Sequence, residues 1–210
     1  MAAMLFAYAV CFSFAYRDLT AATGALLLFG AVQITMMGYG LWTGERIGGL
    51  RLVGLALALG GLVWLLLPGL AAPPPLAAAL MLAAGAAWGV YSLLGKGAGD
   101  PTAATGGNFL RTLPFAAVLM LAMASTGTVD RTGAFYAVLS GAVTSGLGYV
   151  LWYAALPMLR ATSAATVQLC VPAIAALGGA MLLAEPVTPR LLVASVAVLG
   201  GIALTIYRKN

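Results

Sequence analysis

The chain has no histidine, and its acids number five among 210 residues: Asp18, Glu45, Asp100, Asp130 and Glu185. Without histidine the most usual general base and metal ligand is missing. The five acids all fall at expected loops or helix ends. A hydrolase or intramembrane protease needs an acid pair, a metal site or a nucleophile beside a base. Ser13 and Ser145 have no such base. No catalytic residue, metal ligand or cofactor is therefore expected, and the chain is not read as an enzyme. Charge as a whole is scarce at 7%, against about 25% in soluble domains, so this surface is not built to face water. Ten basic residues leave a net charge of +5, but they stand singly between apolar runs. A nucleic-acid binder gathers them on one face, so no nucleic-acid partner is expected. The two cysteines, Cys11 and Cys170, both lie in apolar runs, where buried small hydrophobes are expected rather than a disulfide or a metal pair. The opening MAAMLFAYAVCFSFAY lacks the basic leader of a cleavable signal.

What the chain has instead is apolar length. Hydrophobic residues make up 63% and the mean hydropathy is +1.05. A spanning helix needs roughly 20 apolar residues. Eight segments approach that length: about Ala2–Tyr16, Ala21–Trp42, Leu50–Leu67, Leu76–Gly95, Phe109–Ser125, Phe135–Leu156, Thr162–Ala184 and Leu191–Tyr207. They are separated by residues that cannot continue a helix. Pro68-Gly69 and Pro73-Pro74-Pro75 remove backbone donors and fix φ. Gly44-Glu45-Arg46 and Glu185-Pro186 join breakers to charge. Backbone groups in lipid must be satisfied within the segment, and the runs do not alternate as barrel strands do. The sequence thus predicts an all-α polytopic membrane protein with eight transmembrane helices in a lipid bilayer.

Basic residues set the orientation. One side of the predicted bundle carries Arg46, Arg51, Lys96, Arg160, Arg208 and Lys209, with Arg111 near its border; the other carries Arg17, Arg131 and Arg190. The first side is expected to be cytoplasmic, with both termini inside. The chain also repeats itself at a shift of 140 residues: Glu45 falls on Glu185, Gly60-Gly61 on Gly200-Gly201, Gly38 on Gly178, Leu52-Val53 on Leu192-Val193 and Ile34 on Ile174. The loop with Glu45 is then cytoplasmic and that with Glu185 external, so the copies are inverted. Secondary transporters are recurrently built this way, with substrate near the midplane. The second copy has two helices in front of it that the first lacks.

Three stretches carry a family resemblance. WYAALPMLRATSAATVQLCVPAIAALGGAMLLAEPVTPRLLVASVAVLGGIALTI (Trp152–Ile206) resembles the closing helices of the EamA family, in the drug/metabolite transporter superfamily. AAGAAWGVYSLLGK (Ala83–Lys96) resembles the opening helix of its second repeat, and TGALLLFGAVQITMMGYGLWTGERIGGLRLVGLALALGGLVWLLLPG (Thr23–Gly69) the close of its first. The shared features are loose: Pro172, the Gly-Glu or Ala-Glu helix ends and the double glycines. The resemblance implies ten helices in two inverted halves. This chain then reads as an incomplete ten-helix fold, with residues 1–70 as a three-helix first repeat and 76–207 as a five-helix second. A fragment, a misassigned start or a short member completed by homodimerisation each fits that departure.

Polar side chains inside spans are costly unless they face protein or water. Gln33 and Gln168 are read as substrate hydrogen-bonding groups or, equally, as interhelical bonds. Trp88, Tyr91 and Ser92 share a face, as do Tyr149, Trp152 and Tyr153. Such faces suit a cavity wall for an organic solute, or an interfacial belt; Trp88 favours the wall, while Trp152 and Tyr153 sit nearer the belt. Asn108 and Arg111 are expected to open their helix. There Arg111 snorkels or binds a substrate anion. Pro172 is expected to kink its helix. Gly54-x-x-x-Ala58 and Ala197-x-x-x-Gly201 are packing signals. Glu45 and Glu185 are read as structural helix ends. The substrate-binding set is thus Gln33, Trp88, Tyr91, Ser92, Asn108, Arg111, Tyr149, Trp152 and Gln168. The expected function is export of small organic metabolites across the inner membrane; a non-transporting scaffold or inactive truncated fragment is the alternative.

Overall fold

A computed structural model describes residues 1–42, 44, 48–67, 72–95, 99–125, 130–155 and 170–206. Glu45, Arg46, Lys96, Arg160, Gln168, Tyr207, Arg208 and Lys209 lie outside these. The described residues form helices and no strand. In chain order these are α1 (Ala2–Ala15), α2 (Ala21–Trp42), α3 (Gly49–Leu66), α4 (Pro75–Gly95), α5 (Pro101–Ala122), α6 (Arg131–Ala155), α7 (Cys170–Leu182) and α8 (Pro189–Ile206). Three stretches are long and apolar enough to cross a membrane: Ala21–Gly40, Pro75–Gly95 and Arg131–Ala155. Ala2–Ala15, Leu52–Leu66 and Pro189–Leu204 are apolar but shorter. The outward faces are apolar too. Leu121, Val138, Leu151, Met181 and Leu182 are all exposed, and a water-facing exterior does not carry apolar area on that scale. Trp42, 85% exposed at the end of α2, suits an interfacial anchor.

Helix starts follow local chemistry. The Thr20 hydroxyl accepts the Thr23 amide at 3.3 Å and caps α2. Thr188 accepts the Leu191 amide at 3.2 Å ahead of α8, whose first residue is Pro189. Asp100 accepts the Thr102 and Ala103 amides at 2.8 and 3.1 Å, with Pro101 in the first turn of α5. A capping acid followed by proline is a strong helix start. It overrides the Thr- and Gly-rich stretch behind it, so this helix begins eight residues before the expected Phe109. Asn108 and Arg111 therefore sit about two turns inside α5 rather than at its opening. Pro114 is also within α5.

The sixth helix likewise begins early, at Arg131, where Asp130 accepts the Gly133 amide at 2.6 Å. Its middle, Leu139–Leu147, is π-helical between α-helical turns Arg131–Val138 and Gly148–Ala155. The Thr144 hydroxyl takes the Ser140 carbonyl at 2.6 Å. That acceptor is the one an i→i−4 amide would use.

Packing rests on close backbone approach. α4 lies against both α1 and α2. A Cβ at Gly85 would stand 2.5 Å from the Leu28 carbonyl oxygen, and one at Gly89 would stand 2.9 Å from Thr35 Cβ. This Gly-x-x-x-Gly seam was not singled out in the sequence, although its spacing is legible there. α3 and α8 run antiparallel, with the Arg190 Nε donating to the Trp64 carbonyl at 3.2 Å at one end. Along this pair Gly61 abuts Ala197 and Val198, and Gly201 abuts Gly54 and Ala58. The two small-residue signals thus pack on each other. Ala58, Leu62, Leu65, Ala194, Val198 and Ile202 are buried here and join the main core with Leu26, Leu27, Met81 and Ala84.

Candidate functional site

A second, aromatic core lies where α1, α4, α5 and α6 meet. Trp88 of α4 stands at its centre. Its ring centroid is 5.0 Å from Tyr8, 4.9 Å from Tyr149 and 5.4 Å from Tyr91. Phe109 meets Tyr149 at 5.9 Å, and Tyr153 meets Tyr91 edge-on at 6.0 Å. Helical spacing explains the convergence. Trp88 and Tyr91 are three apart on α4, and Tyr149 and Tyr153 four apart on α6, so each pair shares a face. Leu5, Met1 and Met4 close the cluster from α1 and the chain start.

Polar groups line one side of the rings. Asn108, buried in α5, donates from Nδ2 to the Tyr91 hydroxyl at 3.2 Å. Thr105, one turn earlier, is buried with its hydroxyl unpartnered among the described residues. The Tyr153 hydroxyl is likewise buried and unpartnered among the described residues. Buried orphan hydroxyls are uncommon and cost free energy. Here they leave donors and acceptors unused at the edge of the ring cluster. Among the described residues no Asp, Glu, Lys or Arg side chain joins the cluster. Asp18 and Asp130 are exposed at helix ends, and Arg111 is exposed on α5 with its guanidinium folded back beside Gly107. The arrangement can stack and hydrogen-bond an organic molecule.

Of the residues proposed from sequence, Trp88, Tyr91, Asn108 and Tyr149 come together here. Trp152 is half-buried and makes no ring contact with the cluster; Tyr153, read from sequence as nearer the belt, takes that place by packing against Tyr91. Ser92 and Gln33 are half-buried and enter none of these contacts. Gln168 lies outside the described residues. Thr105 and Tyr8 were missed. Thr105 was hidden by the late start assigned to its helix, and Tyr8 has no polar or aromatic partner at helical spacing other than Phe12.

The family model for the EamA-like transporter family matches residues 75–207, which include all of α4 to α8. The uncharacterized Pseudomonas aeruginosa protein PA1977 is 61% identical over 203 residues, covering 97% of this chain and 71% of that protein. No solved structure is significantly similar. An apolar exterior, an all-helical fold and a family match over most of the chain agree: this multi-pass membrane protein belongs to the EamA-like transporter family.

Proposed function

We propose that the protein is an inner-membrane secondary transporter that exports small organic metabolites, such as amino acids or amines, by alternating access. The observation that carries this reading is the aromatic and amide cluster around Trp88, built by four helices of a transporter-family chain. Rings supply apolar and π contact, and a few placed polar groups orient a solute. Aromatic faces also attract an ammonium group, which both proposed classes possess.

The repeat supports the alternating part. Residues identical at the 140-residue shift lie on α3 and α8 alike, Leu52-Val53 with Leu192-Val193 and Gly60-Gly61 with Gly200-Gly201. The α3–α8 contact is also reciprocal. Gly61 meets Val198 and Gly201 meets Ala58, and these residues are each other's counterparts at the same shift. Reciprocity of this kind is what a two-fold relation between two copies produces. Antiparallel counterparts fit inverted halves and eight spans with cytoplasmic ends.

The test is counterflow in proteoliposomes, with a labelled amino-acid mixture and labelled putrescine as probes. Accumulation that is lost in Trp88→Ala and reduced in Asn108→Leu is the expected result. No flux of any probe in either direction would favour the non-transporting scaffold.

A further inference from the structure

We propose that Glu185 is a latch that ties the end of α7 to the start of α2 and closes the outer face of the carrier; the inference rests on the transport reading above. The Ala21 amide donates to both carboxylate oxygens of Glu185, each at 2.9 Å, across 164 residues of chain. Ala21 is the first residue of α2, where helix amides are unsatisfied and negative charge is favoured. The sequence marked Glu185 as a helix end. The structure gives it a partner on another helix.

Four observations make this a releasable tie rather than a fixed cap. First, α2 already has its own cap in Thr20, which takes the Thr23 amide. The Ala21 amide can be met by water instead, so breaking the tie does not unwind the helix. Second, α7 packs chiefly against α2, while Ile174, Leu177, Met181 and Leu182 are exposed. Its neighbour α8 is held by the long buried seam with α3, so less packing opposes a movement of α7 than of α8. Third, the tie sits on a hinge. Ala184 adopts φ 51°, a left-handed form that alanine rarely takes. The Glu185 amide folds back on the Gly179 carbonyl at 3.0 Å, and that bend aims the carboxylate at Ala21. Gly179 also sits against Ala21 and has no room for a Cβ beneath the carboxylate. Fourth, the hinge recurs. Among the described residues the positive-φ positions are Gly44, at φ 88°, and Ala184; they stand 140 residues apart, each just before a glutamate in the sequence.

Hydrogen–deuterium exchange of the full chain in nanodiscs, with no ligand added, tests the latch. Losing a charge-assisted hydrogen bond changes an opening equilibrium by about tenfold or more. In Glu185→Ala, exchange is expected to rise about tenfold in peptides spanning 19–23 and 179–188, with α3 and α8 unchanged. Glu185→Gln, which keeps one acceptor and loses the charge, is expected to fall between. A rise spread evenly over all helices would show a merely structural cap, and no rise at all would show that the tie bears no load; either overturns the latch. In liposomes the latch predicts that Glu185→Ala raises the exchange rate of labelled solute while its half-saturation on the cytoplasmic side stays constant. Exchange confined to the two hinge peptides in a protein that moves no probe would leave the tie standing and remove the carrier reading.

Discussion

Replacing Gly61 by alanine should loosen the α3–α8 seam, whereas the same change at Gly60 should not. A Cβ at Gly61 would stand 2.8 Å from Ala197 Cβ, 3.0 Å from Val198 Cγ2 and 3.1 Å from the Val198 backbone nitrogen. The last of these belongs to the main chain of α8 and cannot rotate away, so the helices must part. A Cβ at Gly60 meets nothing within 4 Å. Both substitutions gain about 1 kcal/mol of helix propensity, and that gain cancels between neighbours. The remainder is the overpacking cost, about 1–3 kcal/mol. The two variants should therefore differ by that amount, with Gly60→Ala at or above the parent. The pair Gly200 and Gly201 should repeat the order, because a Cβ at Gly200 is likewise free and one at Gly201 would stand 2.6 Å from the Ala58 nitrogen. Unfolding by SDS in mixed micelles, followed by circular dichroism, measures the difference directly. Equal midpoints for Gly60→Ala and Gly61→Ala, or the reverse order, would refute the seam.

Tyr91→Phe should cost about 0.6 kcal/mol, the usual worth of an interhelical hydrogen bond in membranes, because the Asn108 amide loses its acceptor; the same SDS titration reads it. Asp100→Ala should cost about 1 kcal/mol by removing the α5 cap, and faster amide exchange confined to residues 101–105 is the accompanying sign. Burial first, and the nearby Glu185 carboxylate second, push the Tyr16 phenol up to about 12. It lies in the turn after α1, where its hydroxyl faces the Ala21 carbonyl at 3.4 Å. A raised folded pKa means its stabilising contribution is complete below pH 10 and lost as pH rises through about 12. Ultraviolet titration of the parent against Tyr16→Phe should show one late-ionising phenol missing.

The breaks, caps and apolar lengths were legible because they depend on neighbours in sequence. Proline punctuation, Asp100-Pro101 and the unbroken apolar runs each act within one turn, and even the early start of α5 was written in that pair. The repeat was legible too, since identical residues at one fixed shift need no coordinates to be seen. Half of the ring cluster could be named from helical spacing alone: Trp88, Tyr91 and Tyr149 each have a polar or aromatic neighbour one turn away.

Tertiary structure decided the rest. Spacing places Trp152 and Tyr153 on nearly the same face as Tyr149, and only packing against Tyr91 selects Tyr153. A double glycine does not say which glycine touches another helix; the α3–α8 contact chooses the second of each pair. Glu185 reads locally as the end of a helix, because it stands with Pro186 at the close of an apolar run. Its partner is an amide 164 residues away, reached only once α7 lies along α2. Local chemistry determines where helices start and stop, while a side chain's partner depends on which helices lie side by side, and that is settled by the packing of the whole chain.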